Sequence, residues 1–203
     1  MPGRLFLITS AADLARCVGQ AAPAESPARR NIAPGQEVLV LTTDGFCHMR
    51  WGIIPVGRVN ARGRPVMETI INARSETLFD KSAFDGVRRA VVPADGWYEW
   101  TGKARRKTAW QLARRDAAPI WFAAIWDRWV APGGTTVDQV ATVTCEPNAE
   151  VAEIHHRMGV LLTPDQVPIW LNGTETAARA LMQPLPEGEL LIQKALDIDW
   201  SAP

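Results

Sequence analysis

The stretch Ala90-Val91-Val92-Pro93-Ala94-Asp95-Gly96-Trp97-Tyr98-Glu99-Trp100 decides the fold class. Ala90–Pro93 reads as the entry of a strand, and Gly96–Trp100 as a strand carrying polar groups on one face. Side chains alternate along a strand, so Trp97 and Glu99 share one face while Tyr98 and Trp100 share the other. Downstream, Thr108–Arg114 and Ile120–Trp126 continue a strand-rich centre around the turn at 115–119, and Gln139–Thr144 is a further strand. Upstream, Val38–Thr42 leads through the turn Thr43-Asp44-Gly45 into a strand ending at Trp51.

Helices lie at the margins of this pattern. Residues 11–18 follow Ser10, a residue suited to an N-cap, and have helix-forming composition. Short helices are expected around Glu76–Phe84, at Pro147–Ile154 and from Pro164 to Leu171. Gly159–Leu162 reads as a strand and Leu190–Trp200 as a strand or extended tail. Residues 19–30 and 55–66 read as loops. The expected architecture is α+β: one domain over residues 1–203 with a curved, barrel-like, mostly antiparallel sheet and peripheral helices.

Composition agrees with a soluble globular chain. At 203 residues there is room for one large domain or two small ones, and 47% hydrophobic against 22% charged residues is ordinary. Nine Trp against one Tyr is not ordinary, and several of these indoles must fill a core or line a groove. No apolar run approaches a membrane span, and no basic-then-apolar segment opens the chain, so a cytosolic protein is expected. Cys17, Cys47 and Cys145 form no CxxC pair and are expected to be small buried apolar residues. Residues 50–115 carry 14 Lys+Arg against 6 Asp+Glu, whereas residues 116–203 carry 4 against 12. That asymmetry points to a basic face for an anionic partner, with Lys103-Ala104-Arg105-Arg106-Lys107 equally readable as a solvated turn.

Three groups of residues could do chemistry. Glu99, beside Trp97, is either a desolvated acid/base with a raised pKa or a rim carboxylate paired to an arginine. Asn72 and Arg74 share strand parity; an amide and a guanidinium suit a phosphate or base edge, or else a structural Asn and an Arg74–Glu76 ion pair. His155 and His156 close a helix that carries Glu150 and Glu153. Adjacent side chains are expected to diverge, so that at most one faces a site, and protonation is favoured at a helix C-terminus. No zinc pattern is present, and neither metal nor cofactor is expected.

Five motifs occur in order: Asn31-Ile32-Ala33-Pro34-Gly35, Trp51-Gly52-Ile53-Ile54-Pro55, Ile71-Asn72-Ala73-Arg74-Ser75-Glu76-Thr77, Ala94-Asp95-Gly96-Trp97-Tyr98-Glu99-Trp100 and Ile154-His155-His156-Arg157-Met158. In this order they resemble the SRAP (SOS response-associated peptidase) family over nearly the whole chain. The resemblance implies a fold built around a β-barrel-like sheet and binding of single-stranded DNA and abasic-site DNA. It also implies a covalent crosslink to the lesion through the N-terminal residue, and removal of the chain's own N-terminal Met. By position, Asn72 would hold the reacting N-terminus and sugar, Glu99 would act as acid/base, and His155 would assist proton transfer. Arg4 and Arg74 would hold phosphates, and Pro34, Trp51 and Trp97 would belong to the framework or the DNA groove. A cytoplasmic monomer that associates with the nucleoid when DNA-bound, with no membrane contact, is the expected state.

One position departs from the family pattern. The chain begins Met1-Pro2-Gly3-Arg4 where the family has Met-Cys-Gly-Arg. A thiazolidine needs an amine and a thiol on one residue, so it cannot form at Pro2, and no internal cysteine replaces it. Three explanations stay open: a sequence altered from its natural form, a binder that makes no stable adduct, and an N-terminal proline whose secondary amine forms an iminium with the sugar aldehyde. In the last case Pro2 is itself catalytic, and the chain is an abasic-site lyase.

Overall fold

The computed structural model describes residues 2–23, 25–55, 62, 69–103, 106–131, 133–196 and 198–201. In chain order the elements are β1 (Arg4–Leu7), α1 (Ala11–Val18), β2 (Arg29–Ile32), β3 (Glu37–Thr42), β4 (Gly45–Trp51), β5 (Asn72–Arg74), β6 (Arg88–Ala94), β7 (Gly96–Lys103) and β8 (Arg106–Arg114). They continue with β9 (Ile120–Val130), β10 (Thr136–Cys145), α2 (Ala149–Ala152), β11 (Met158–Gly159), β12 (Leu161–Leu162), α3 (Gln166–Asn172), α4 (Glu175–Leu181) and β13 (Leu190–Lys194).

Strands β3, β4, β10, β9 and β6 pair in a ring, closed where Leu41 of β3 meets Val91 of β6. Only β4 and β10 run parallel in this barrel. The short β5 lies parallel to the far end of β10. A second, wholly antiparallel sheet has the order β13-β8-β7-β1-β2.

The two sheets meet at Asp95-Gly96. β6 belongs to the barrel, pairing as far as Ala94 with Ile120, and β7 belongs to the second sheet. The Asp95 N–H donates to the Phe6 carbonyl (2.8 Å). Its carboxylate accepts from the Ile8 N–H, the Thr9 N–H (2.8 Å) and the Thr9 hydroxyl. The corner is thus stapled to the end of β1. Gly96 admits it sterically: a Cβ there would lie 2.2 Å from the Leu112 carbonyl oxygen and 2.6 Å from the Phe6 ring.

Residues 120–126 of β9 are all buried, although strand alternation sends them to two faces. Both faces are covered. Trp97 of the second sheet meets Phe122 edge-on, with 5.7 Å between ring centroids. Trp170 of α3 is fully buried, and its indole N–H reaches the carbonyls of Ala90 (2.8 Å) and Ala124 (3.2 Å). Trp51 and Trp121 are also fully buried. With Trp126, also buried, more than half of the tryptophans therefore serve the core.

The strand-rich centre and the Ser10-capped helix occur where the sequence places them, with the Ser10 hydroxyl accepting from the Asp13 N–H at 3.2 Å. Several local expectations need correction. The helix expected at Glu76–Phe84 is two 3-10 turns, Ser75–Thr77 and Ser82–Phe84. The segment 147–154 holds only the single turn α2, capped by Asn148. Gly159–Leu162 is split, because β11 pairs with β10 while β12 pairs with β9. The loop expected at 19–30 gives way to β2 at Arg29, and β1 and α4 are further elements, α4 opening on a Thr174 hydroxyl that caps it through the Ala177 N–H at 3.2 Å. Most of the 55–66 loop lies outside the described residues. Cys145 is buried, but Cys17 is exposed on α1 and Cys47 half-buried.

Replacing Gly96 with Ala forces a methyl group into backbone and an aromatic ring. We expect Gly96→Ala to lose about 1–3 kcal/mol of stability, the range of overpacked cores. A urea midpoint unchanged from the parent would show that the corner is slack.

Candidate functional site

β1 and β7 run antiparallel with Arg4 opposite Tyr98 and Leu5 opposite Trp97. Continuing that register brings residue 3 alongside Glu99, so the start of the chain emerges next to this carboxylate. Pro2 is buried. Its carbonyl accepts a 3.1 Å hydrogen bond from the Asn72 amide nitrogen. Asn72 is carried there by β5, which lies against β10 with Asn72 opposite Thr142. The buried Thr142 hydroxyl donates to the Asn72 amide oxygen at 2.5 Å. That bond orients the amide, turning its nitrogen toward Pro2. The Trp51 indole N–H donates to the Ile71 carbonyl (3.0 Å) and so anchors the backbone just before Asn72.

Glu99 is 3% exposed and shares the barrel-facing side of β7 with Trp97. Burial pushes its pKa up to about 7, while the positive charge of the chain's amino terminus pulls the other way. The Trp97 indole N–H also lowers it slightly, without being aligned as a full hydrogen bond. The carboxyl is thus poised to give or take a proton near neutrality.

His155 follows α2 and is half-buried. Its pKa falls to about 4, chiefly through burial and then through the same amino-terminal charge. The expectation of a protonated, helix-capping histidine is therefore overturned: one turn of helix offers little dipole, and desolvation outweighs it. The ring Nδ1 lies 3.0 Å from the Arg157 N–H and 3.2 Å from the Arg157 carbonyl, and the tautomer whose Nδ1–H donates to that carbonyl leaves Nε2 free to accept a proton. The two histidines do not diverge; their rings stack, with centroids 4.3 Å apart.

Arg157, which the sequence reading left without a role, holds this loop. Its buried guanidinium grips both carboxylate oxygens of Glu76 (2.5 and 2.9 Å) and the Thr144 carbonyl (2.5 Å). Glu76 therefore pairs with Arg157 rather than with Arg74. Arg74 is exposed and lines a cleft of about 370 Å³ with Asn72, Thr77 and Lys81.

The remaining candidates divide into tethered and buried. Arg4 donates to the Asn31 side-chain oxygen. Pro34 sits in the half-buried turn between β2 and β3, which is tied by the Gly35 N–H to the Trp51 carbonyl (2.8 Å). Trp51 and Trp97 are fully buried, so neither indole offers a face to a base; both are framework. Sequence alternation could not reveal this, because it assigns a face but not what covers it. Among the described residues, no group of three His, Cys, Asp or Glu could hold a metal ion. Among the described residues, no helix is long and apolar enough to cross a membrane.

A family model described as SOS response associated peptidase (SRAP) matches residues 1–196 of this chain. The abasic site processing protein YoqW of Bacillus subtilis (strain 168) is 32% identical over 165 residues, covering 76% of this chain and 72% of that protein. The abasic site processing protein HMCES of Gallus gallus is 28% identical over 159 residues, covering 66% of this chain and 47% of that protein. In fold, the crystal structure of a protein from Bacteroides thetaiotaomicron superposes with a TM-score of 0.83 at 20% identity, covering 96% of this chain and 92% of that one.

Two measurements probe the site's physics without a substrate. Between about pH 4.5 and about 7 the folded chain keeps the Glu99 proton that the unfolded chain has released, so this group's contribution falls as pH rises. His155 acts oppositely: its folded form refuses a proton the unfolded chain accepts, so stability is lost as pH falls from 6.5 to about 4. The two slopes offset each other in the parent. Glu99→Gln should remove one, gaining on the parent as pH rises by on the order of 3 kcal/mol at most. Parallel melting-temperature profiles for parent and variant would contradict this. Separately, Thr142→Val leaves the Asn72 amide oxygen without its buried donor and should cost about 1–3 kcal/mol. Thr142→Ser should recover most of that in the same denaturation experiment.

Proposed function

This chain belongs to the SRAP family, and on that premise we propose that it binds single-stranded DNA at abasic sites and processes the lesion through the Pro2 amine. The carrying observation is the Pro2 carbonyl held by Asn72, with the register of β1 leading the chain past a carboxyl whose pKa is about 7. The reading requires that Met1 be removed, which frees a secondary amine.

The chemistry follows from the groups present. The Pro2 nitrogen attacks C1′ of the ring-opened sugar, forming a carbinolamine. Glu99, half-protonated near neutrality, donates a proton to the C1′ hydroxyl, which leaves as water and gives an iminium. The iminium acidifies C2′. Loss of a C2′ proton to a neutral base, for which His155 is the candidate, forms an enamine that expels the 3′-phosphate by breaking the C3′–O3′ bond. Water then hydrolyses the conjugated iminium and returns the amine. Asn72 restrains the proline through its carbonyl and leaves the nitrogen unencumbered. Arg74, exposed on the cleft beside Asn72, suits a phosphate next to the lesion.

Two other readings have less support. A thiol mechanism lacks a thiol at the N-terminal residue: burial pushes Cys145 up to about 12 and raises Cys47, while Cys17 lies on α1. A binder relying on indole stacking is weakened by the complete burial of Trp51 and Trp97.

The test is incubation with abasic single-stranded DNA, with and without borohydride, followed by intact-mass measurement. A reduced adduct on a chain lacking Met1, and strand cleavage without borohydride, are expected. Glu99→Gln should slow adduct formation by 10²-fold or more, the general acid–base range. Binding with neither adduct nor cleavage would leave the non-covalent reading in its place.

A further inference from the structure

The charged end of the β7–β8 hairpin takes no part in the site described above. The hairpin pairs Glu99 with Trp110, Thr101 with Thr108, Gly102 with Lys107 and Lys103 with Arg106. Residues directly opposite one another share a face, so Glu99, Trp110, Thr101 and Thr108 lie on one side of the ribbon. The Trp110 indole N–H donates to the Thr101 hydroxyl at 2.8 Å, as that arrangement requires. That face of the ribbon runs from the buried Glu99 through half-buried Thr101 and Trp110 to exposed Lys103 and Arg106, while exposed Lys107, opposite Gly102, lies on the other face.

Several arginines elsewhere hold carboxylates: Arg114 holds Asp116, Arg128 holds Asp138, Arg157 holds Glu76, and Arg179 holds Glu175 and Asp80. Lys103, Arg106 and Lys107 have no carboxylate partner among the described residues. Lys103 and Arg106 stand directly across the ribbon, where like charges oppose strand pairing. Gly102 draws the strands tighter still, since a Cβ there would lie 2.4 Å from the Arg106 carbonyl oxygen. A tightly closed pair of cations without a counter-ion, at the end of a ribbon that starts at the acid/base carboxyl, is what a polyanion lying along that ribbon would stabilise.

We infer that the β7–β8 hairpin is a backbone-gripping arm, with Lys103 and Arg106 binding phosphodiesters of the strand that carries the lesion. The inference rests on the proposed function and adds a second contact region to it. From Glu99 to Lys103 is four strand residues, about 13 Å at about 3.3 Å per residue. At about 3.4 Å per stacked nucleotide this reaches about four nucleotides from the reacting sugar.

The experiment measures the affinity of a fluorescent abasic single strand across a salt series for the parent and for Lys103→Gln/Arg106→Gln. Losing two phosphate contacts should make the plot of log K against log salt shallower by about 1.4, at about 0.7 per contact on single strands. The borohydride-trapped yield at saturating DNA should stay at the parent level. An equal loss of charge at Arg16 and Arg128, both paired to carboxylates, should leave the slope unchanged. If the control pair lowers the slope equally, bulk charge is responsible and the arm is overturned. A parent that binds while the hairpin variant matches it in affinity and slope also overturns the arm, leaving the functional reading intact. A parent that binds no abasic DNA overturns both.

Discussion

The corner at Asp95-Gly96 is the constraint on which the rest of this molecule depends. There the chain leaves the barrel and enters the second sheet, and the Asp95 carboxylate ties the turn to the end of β1. A side chain at residue 96 would collide with backbone, so glycine is a steric necessity. Glu99 and the start of the chain inherit their positions from this junction. β7 leaves it carrying Trp97 inward against Phe122 and Glu99 into the buried seam, and β1, held by the same corner, brings the start of the chain alongside.

That geometry produces the site's electrostatics. A carboxyl and an imidazole are both drawn out of water beside one positive terminus, and they respond in opposite directions. Burial disfavours charge on each, so Glu99 keeps its proton longer and His155 declines one. The result near neutrality is a half-protonated acid and a neutral base. The seam sets the Glu99 state, which an exposed glutamate would not show, and extends the neutral range of His155 well below its ordinary limit. A buried hydroxyl, Thr142, and a buried guanidinium, Arg157, set the orientation of the groups that would use these protons.

Much of this was legible in the chain. Alternation along Gly96–Trp100 assigned Trp97 and Glu99 to one face and Tyr98 and Trp100 to the other. The structure agrees, with Tyr98 and Trp100 packing on Trp200 at 5.0 and 5.4 Å. The ordered motifs pointed to the family and to Asn72, Glu99 and His155 together. What failed was short-range reading of segments whose form is decided by distant partners. The Glu76–Phe84 helix broke into 3-10 turns while Arg157, far along the chain, claimed Glu76. The two histidines stacked because their loop is pinned at Arg157, not free to splay.

The sequence by itself determined the strand-rich α+β class, the family, and the absence of a thiol at the second position, because periodicity, ordered motifs and residue identity are local properties. Only the tertiary structure decided which tryptophans are framework, which carboxylate titrates near neutrality and which way the Asn72 amide points. Those depend on desolvation and on hydrogen bonds between residues up to about seventy positions apart, such as Thr142 to Asn72 and Asn72 to Pro2. No pattern along the chain encodes such contacts until the barrel closes and the second sheet packs against it.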